Sequence, residues 1–382
     1  MSGGLPVVAV MRKTWLGRSE TWIHAEVRRA RRYRKIVLTT RTENLDLFGG
    51  PRIYMPADLP RGSIQWWQDR LGRWLLRREA YFEDVVRREN VAILHAHFGY
   101  DAVWALRLKM RAGCPLVTTF HGGDLYEPAT VREFAGGYHR LFHLGERFIA
   151  LGENMRRALV RLGCPEEKVR VIHLAVDLDE WPYVERPPLE GVIRVLFCAR
   201  LIEIKGLRYV LEAMRLLAER GVPAELTVIG YTGPADEPEM DHVAYARELG
   251  IAERVRFLGY QPPQMVREHL RRTHLFLQPS VTSRTGAIEG SHPTTLVEAQ
   301  AMGCPVIGTW HSDIPEVVRD GETGWLVEEK RPDQIAVRIR WFVENPAALQ
   351  EFGRRARRHI EAHYNAAIEN EKLEALYDEL RP

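Results

Sequence analysis

The feature that most constrains the fold is an alternation of short apolar runs with helical patterns, which occurs twice along the chain. Each run has the length and apolar character of a buried strand. In the first half these runs are Leu5–Val10, Ile36–Thr40, Val91–His95, Leu116–Phe120, Phe148–Leu151 and Val169–His173. In the second half they are Val192–Cys198, Glu225–Ile229, Val255–Leu258, His274–Gln278, Val306–Thr309 and Trp325–Val327. The alternation predicts an α/β chain with two mostly parallel sheets wrapped by helices.

A proline-rich stretch without periodicity separates the two series and sets the predicted domain boundaries. At 382 residues the chain is also too long for one ordinary core. We predict two Rossmann-like, doubly wound domains, residues 1–176 and 192–364, joined by a linker at 177–191, with a final helix at about 365–382 that packs back on the first domain. In such sheets ligands bind beyond the carboxyl ends of the strands, so we expect the site in the cleft between the domains.

Composition limits the compartment and the class of partner. The chain is 45% hydrophobic and 27% charged with a formal net charge of +3, and it has no apolar run long enough for a transmembrane helix. The N-terminus lacks the features of a signal peptide. Three of the four cysteines occur in Gly-Cys-Pro triplets after helical patterns, which is typical of helix ends and not of zinc or disulfide frameworks. We expect a cytoplasmic protein without a nucleic-acid partner.

One segment, Ser63–Glu89, combines arginines and tryptophans at helical spacing. A basic aromatic amphipathic helix can lie in a membrane interface. It can equally pack its apolar face on the protein and leave the arginines in water. The sequence leaves both interpretations open, and the first of them implies a peripheral contact with the inner membrane face.

Histidines follow two neighbouring predicted strands. His95 and His97 end one strand, and His121 with Asp124 follows the next. Such residues can hold zinc or iron. They can also be structural, or form hydrogen bonds to a ligand at a glycine-rich loop. Because no further ligand is evident at a strand end, we favour the hydrogen-bonding role and expect no metal.

The segment Pro279–Pro315 has the order strand, polar loop, helix and strand that is typical of half a nucleotide site. A helix N-terminus after such a loop favours phosphate. Arg200 and Lys205, five residues apart after an earlier strand, suit a diphosphate. Of the two carboxylates in the segment, Glu289 and Glu298, we expect Glu298 to bind ribose hydroxyls, since like charges repel phosphate.

Taken in order, these motifs resemble the retaining glycosyltransferases of family 4, which have the GT-B fold. The resemblance covers nearly the whole chain, and the motifs together are specific although each is modest alone. They are Ser19–Ile23, His97–Gly99, His121–Asp124, Arg200 with Lys205-Gly206, Val255–Gly259, Pro279-Ser280, Glu289-Gly290, Glu298-Ala299, Pro305–Ile307, Ile314–Val318 and Gly321–Val327.

The resemblance implies a set of site residues and a metal-independent reaction. The implied catalytic residues are His121, Arg200, Lys205 and Glu289. The implied donor-binding residues are Gly17, Arg200, Lys205, Glu289, His292, Thr294, Thr295, Leu296 and Glu298. Candidates on the acceptor side are Ser19, Glu20, His97 and Asp124. The implied donor is a UDP-sugar or GDP-sugar, with no cofactor.

Two departures from the family pattern stand out. Eight residues separate Glu289 from Glu298 where seven are usual, so we expect a bulge that re-aims Glu289 and brings His292 toward the sugar. This variant is similar to a subgroup that builds bacterial surface polysaccharides such as colanic acid. The usual Pro-Asn-Gly-Val-Asp of the hinge is replaced by residues 173–177, HLAVD.

We therefore expect an enzyme that transfers a hexose, with retention, to a saccharide or lipid-linked acceptor. Two alternatives remain at this point. One is a GT-B epimerase or phosphorylase; the other is an inactive transferase-like binding or scaffold subunit.

Overall fold

The structure, a computed structural model, describes residues 4–17, 20–76, 79–232 and 240–381, with the backbone alone for 72–76. The chain divides into two compact units, Met1–His173 together with Ala367–Pro382, and Leu174–Ala366. Each unit contains a parallel sheet with helices, which confirms the predicted α/β class.

The described strands form one large sheet in each unit, and neighbouring strands are parallel throughout. Those of the first unit are β1 (Val7–Met11), β2 (Thr14–Trp15), β3 (Arg34–Leu38), β4 (Arg41–Thr42), β5 (Arg52–Tyr54), β6 (Val91–His97), β7 (Leu116–Thr119), β8 (Arg147–Ala150) and β9 (Val169–Val171). Those of the second unit are β10 (Ile193–Cys198), β11 (Ala224–Ile229), β12 (Val255–Phe257), β13 (Leu275–Gln278), β14 (Val306–Thr309) and β15 (Gly324–Val327).

The strand order reverses once in each sheet. The first sheet runs β5-β3-β1-β6-β7-β8-β9 and the second β12-β11-β10-β13-β14-β15, while β2 and β4 form a separate small pair. In both sheets the chain starts in the middle, builds outward to one edge, and then returns to build the other side. This is the doubly wound Rossmann order, and its switch points lie between β1 and β6 and between β10 and β13.

Helices connect the strands in each unit. They are α1 (Thr21–Arg29), α2 (Leu45–Phe48), α3 (Ile64–Leu76), α4 (Ala80–Arg88), α5 (Gly99–Ala112), α6 (Gly123–Tyr126), α7 (Pro128–Leu144), α8 (Glu153–Arg161), α9 (Leu207–Glu219), α10 (His242–Glu248), α11 (Pro263–Arg272), α12 (Thr294–Ala301), α13 (Ile314–Val317), α14 (Pro332–Glu344), α15 (Ala348–His363) and α16 (Ala366–Leu380). Within the described ranges, none of them has the length and apolar character needed to cross a bilayer.

The C-terminal helix α16 completes the core of the first unit. Its buried side chains Leu373, Leu376 and Tyr377 join a cluster that contains Val8 and Ile93 of the central strands. Buried apolar residues from distant parts of the sequence therefore form one core.

Residues 177–191 contain no helix or strand and lie within the second unit. The buried Arg186 anchors them. Its guanidinium donates to the carbonyls of Leu270, Thr273, Val184 and Met302 at 2.7–3.0 Å. This segment is therefore held on the second unit by charge-assisted hydrogen bonds.

Candidate active site

The switch point of the second sheet brings two of the predicted segments together. Strands β10 and β13 are neighbours, so the residues after their carboxyl ends meet. Arg200 lies two residues beyond β10 and is half-buried. Lys205 ends a short 3-10 turn, Glu203–Lys205, and Pro279 follows β13 directly.

Gly206 clamps the Lys205 turn onto the loop after β13. Its φ is +74°, and a Cβ at this position would lie 2.0 Å from the carbonyl oxygen of Pro279. The backbone N–H of Val281 also donates to the carbonyl of Ile204 at 2.9 Å. Only glycine fits such a close approach of two backbones, so Gly206 fixes the position of Lys205.

Lys205 and Glu289, both predicted site residues, form a buried ion pair. The Lys205 Nζ lies 2.5 Å from Oε1 and 2.8 Å from Oε2 of Glu289. The side chains are 13% and 8% exposed, and the Ser280 hydroxyl also donates to Glu289 Oε1 at 2.9 Å. A buried ammonium paired in this way can be shared with an incoming anion, because an ammonium group has three hydrogen-bond donors.

Glu298 lies in α12 and is half-buried. Burial raises the pKa of its carboxyl to about 7; Arg267 lowers this pKa and Glu180 raises it. The charged form is thus disfavoured until hydrogen-bond donors reach it. Hydroxyl groups of a ligand would supply such donors.

The N-terminus of α12 has no side-chain cap hydrogen bond. The Thr295 hydroxyl donates to Gln278 Oε1 at 3.2 Å, and Thr294 is half-buried in the first turn. The predicted role of the Leu296 amide is not supported, because this N–H donates to the Pro293 carbonyl at 3.1 Å. The amides of the first two helical residues remain the candidates for an anion.

His292 is not brought to the ligand side as predicted. It is 3% exposed, its Nε2 bonds the Leu174 carbonyl at 3.0 Å, and its Nδ1 lies 3.2 Å from the Ser291 hydroxyl. Its ring also packs on Tyr364. His292 therefore faces inward, where both ring nitrogens are bonded by the protein.

A second cluster lies beside the switch point of the first sheet, after β6 and β7. His97 ends β6 and His121 follows β7, and these strands are neighbours. Nδ1 of His97 lies 3.0 Å from Nε2 of His121, and the rings stack. Burial lowers the pKa of His121 well below its usual range, so its ring is neutral at neutral pH.

Glu26 of α1 joins the histidines, which the sequence pattern did not indicate. One oxygen of Glu26 and one nitrogen each of His95 and His97 lie within 4.8 Å of one another, as in a metal site. Most of these donor atoms already have partners. Lys35 Nζ donates to Glu26 Oε1 at 2.7 Å, and the His95 nitrogens bond Tyr377 and Thr119 at 2.7 and 2.8 Å. Nε2 of His97 is buried without a hydrogen-bond partner among the described residues and lies 3.6 Å from Glu26 Oε1. A buried polar network therefore accounts for Glu26 and His95 but not for this nitrogen, and metal independence stays a prediction.

The acceptor-side candidate Glu20 has structural partners, and one of them is the predicted donor-binding residue Gly17. The Glu20 carboxylate bonds the guanidinium of Arg12 and accepts the N–H of Gly17 at 2.8 Å. The N–H of Gly17 is therefore occupied within the protein, and the role of Gly17 in donor binding stays a prediction. Arg12 is buried and also bonds Asp101 at 2.8 Å. Ser19 lies outside the described residues.

Asp124 holds the His121 loop and is fully buried, so an acceptor contact is not supported. Its Oδ1 accepts the N–H groups of His121 and Gly122 at 3.0 and 2.8 Å, and its Oδ2 accepts that of Gly99 at 2.7 Å. Burial raises the pKa of this carboxyl, and the three backbone donors lower it. Asp124 thus fixes the loop on which His121 lies.

The sequence and the fold are similar to those of known glycosyltransferases. The sequence matches Glycosyltransferase Family 4 over residues 28–180 and Glycosyl transferases group 1 over residues 183–359. It is 31% identical over 291 residues to the amylovoran biosynthesis glycosyltransferase AmsK of Erwinia amylovora, covering 75% of this chain and 70% of AmsK. It is 32% identical over 289 residues to WcaL, a proposed colanic acid biosynthesis glycosyltransferase of Escherichia coli (strain K12), with the same coverage.

Solved structures show the same fold. Anabaena Alr3699/HepE in complex with UDP has a TM-score of 0.78 and 16% identity, covering 98% of this chain and 100% of HepE. Its complex with UDP-glucose has a TM-score of 0.75 and 17% identity, with equal coverage. The chain therefore belongs to the family 4 glycosyltransferases and has their GT-B fold.

Proposed function

We propose that this protein is a retaining, metal-independent transferase that moves a hexose from a UDP-sugar or GDP-sugar to a hydroxyl group of a growing or lipid-linked surface polysaccharide. The observation that carries the proposal is the buried Lys205–Glu289 pair at the switch point of the second sheet, with Glu298 in the helix that follows. The names of AmsK and WcaL support a polysaccharide acceptor. The HepE complexes support a nucleotide-sugar donor.

The proposed roles follow from charge. Lys205 and Arg200 bind the diphosphate, and their positive charge stabilises it as it leaves the anomeric carbon. The first amides of α12 assist from the helix N-terminus. Once Lys205 is shared with the diphosphate, the Glu289 carboxylate accepts hydroxyl groups of the sugar, and Glu298 accepts those of the ribose.

In the transfer, the bond from the anomeric carbon to the phosphate oxygen breaks and a bond to the acceptor oxygen forms. The acceptor proton leaves with the nucleoside diphosphate when attack and departure share one face. This route retains the anomeric configuration and needs no enzyme base. His121 contacts the transferred sugar with a neutral ring, so it orients the sugar without adding charge.

We further propose that the protein contacts the inner membrane face through α3. The described side chains of this helix include Ile64, Trp67 and Leu71, which are 77%, 59% and 53% exposed. Arg70 lies over the Trp66 ring at 4.7 Å. Exposed apolar groups beside a cation suit the interface of an anionic bilayer, where a lipid-linked acceptor would lie.

The proposal predicts that the purified protein releases UDP or GDP from a subset of nucleotide sugars, faster with acceptor present. Lys205→Ala should lower kcat by about 100-fold or more, because a buried donor to the leaving group is lost. Lys372→Ala, which removes an exposed lysine of α16, is the matched control and should keep full activity. Chelator should leave turnover unchanged.

Other outcomes would favour other functions. Conversion of the donor to its epimer without acceptor would indicate an epimerase, and dependence on inorganic phosphate a phosphorylase. Donor binding without turnover would indicate a binding subunit. An inverted product linkage, read by NMR of the anomeric proton, would contradict retention, and strong inhibition by chelator would contradict metal independence.

A further inference from the structure

The loop that carries Glu289 is held by two residues that the sequence pattern did not single out, His311 and Glu329. His311 follows β14, and Glu329 lies two residues beyond β15. His311 is 3% exposed. Its two ring nitrogens connect the backbone of Glu289 to the carboxylate of Glu329.

The geometry fixes the tautomer of His311. The backbone N–H of Glu289 donates to Nε2 at 3.0 Å, and a backbone N–H can only donate. Nε2 must therefore present its lone pair. The ring proton is then on Nδ1, which lies 2.7 Å from Glu329 Oε1 and donates to it. This tautomer is the one in which both bonds exist.

Glu329 ties the start of the same loop to this histidine. Its Oε2 accepts the backbone N–H of Thr282 at 2.7 Å, and its Oε1 lies 3.3 Å from the Thr282 hydroxyl. These hydrogen bonds, together with those of His311, lower the pKa of the Glu329 carboxyl despite its burial. A single carboxylate thus joins both ends of the segment from Thr282 to Glu289.

The residue after His311 holds the other side of the Glu289 backbone. The Ser312 hydroxyl donates to the Glu289 carbonyl at 2.9 Å. Both backbone groups of Glu289 are thereby fixed by residues 311–312. Its side chain is left to Lys205 and Ser280.

We propose that His311 and Glu329 are positioning residues that aim the Glu289 carboxylate at Lys205 and at the donor sugar. They hold the loop from Thr282 to Glu289 in place through hydrogen bonds at both of its ends. The inference rests on the proposed function for the role of Glu289. The hydrogen-bond geometry on which it depends is independent of that role.

The kinetic test compares variants of His311. His311→Leu removes both hydrogen bonds, and it should lower kcat by about 10- to 100-fold, because a small misplacement of a reacting group has that effect. The KM for the donor should change less than about threefold, since Lys205 and Glu298 still bind the diphosphate and ribose. His311→Gln, which keeps an acceptor and a donor, should recover most of kcat. His363→Leu, at an exposed histidine of α15, is the matched control and should behave like the unmodified chain.

A second comparison tests whether His311 acts through Glu289. In a Glu289→Gln background, His311→Leu should lower kcat by less than about twofold further, because residues that act as a unit are not additive. Full additivity, or an equal loss in His311→Gln and His311→Leu, would overturn the proposal.

Nitrogen NMR of protein labelled with 15N-histidine tests the geometry without any donor. The His311 signal, identified by its loss in His311→Gln, should show the Nδ1–H tautomer. An Nε2–H tautomer or a protonated ring at pH 8 would overturn the inference. If the unmodified chain transfers no sugar, the proposed function fails, and the tautomer still decides the positioning claim.

Discussion

The buried pair of Lys205 and Glu289 joins opposite charges from the segments that follow β10 and β13. Each partner lowers the cost of burying the other, so removal of either one would leave an uncompensated buried charge. Under the proposed function, a diphosphate takes over the ammonium as a new anionic partner. The released carboxylate would then accept sugar hydroxyls, so we expect diphosphate binding to prepare the sugar subsite.

Glu298 predicts a pH dependence for donor binding. Because burial raises its pKa to about 7, the folded protein keeps this proton at pH values where the ordinary pKa of 4.5 would have released it. Ribose hydroxyls favour the carboxylate, so donor binding should release a proton near pH 6 and tighten as the pH rises to 8. Calorimetry in two buffers of different ionisation enthalpy measures this proton.

Glu298 also makes the free energy of unfolding depend on pH. Between pH 4.5 and 7 the unfolded chain holds fewer protons at Glu298 than the folded chain, so this residue makes the free energy of unfolding fall as the pH rises. Glu298→Gln should abolish both the proton release and this component of the stability profile. A variant that kept both would show that another group titrates.

For individual residues, the sequence indicated the candidate ligand-binding side chains better than the side chains that hold them in place. The contact of Lys205 with Glu289 was predictable because cations and carboxylates after neighbouring strands meet at one edge of a parallel sheet. The roles of Lys205, Glu289 and Glu298 in donor binding stay predictions. Glu26, Arg12, His311 and Glu329 were not predicted, because packing between separate elements, which no local pattern contains, brings each of them to the group that it contacts. The predicted position of His292 was wrong, because the number of residues between Glu289 and Glu298 does not show to which side of the loop a side chain turns.

The turn that ends at Gly206 follows β10 and contacts Pro279, which follows the neighbouring strand β13. Two glycines of the second unit allow the effect of this contact to be separated from that of backbone conformation. Gly206 and Gly221 have similar φ values of +74° and +68°. Of these two glycines, Gly206 has backbone atoms within 4 Å of the position that an added Cβ would take, whereas Gly221 has no atom within that distance.

Gly206→Ala should therefore be far more damaging than Gly221→Ala. The control substitution should cost about 1 kcal/mol of unfolding free energy, from the left-handed backbone alone. Gly206→Ala should cost about 3 kcal/mol or more, because Pro279 must also move. It should raise the donor KM as Lys205 shifts. Chemical denaturation and initial rates measure the two effects, and equal costs would contradict the proposed clamp.

The elements themselves were largely predictable, and their order in the sheets was not. Every apolar run named from the sequence is a strand in the structure, since buried parallel strands are short and apolar throughout. The strands β2, β4 and β5 were missed because Thr14–Trp15, Arg41–Thr42 and Arg52–Tyr54 do not lie in apolar runs. The order of strands depends on packing between distant segments, which local patterns do not contain.

The exposed face of α3 leads to a prediction for the protein as a whole. Trp67→Ser combined with Leu71→Ser should weaken sedimentation with anionic phosphatidylglycerol vesicles by about tenfold or more, because two apolar side chains no longer enter the interface. Added salt should weaken binding of the unmodified chain. Val337→Ser, at an exposed apolar residue of α14, is the control. Unchanged sedimentation in the double variant would contradict the membrane contact.

The path of the chain through the two units has a consequence for biosynthesis. The first unit takes its strands from the beginning of the chain and its last helix, α16, from beyond the second unit. A ribosome therefore releases every residue of the second unit before Leu373 and Tyr377 can enter the first core. The unit that begins first is therefore completed last. Until α16 has been synthesised, the apolar side chains around Val8 and Ile93 that it covers stay exposed on the nascent chain.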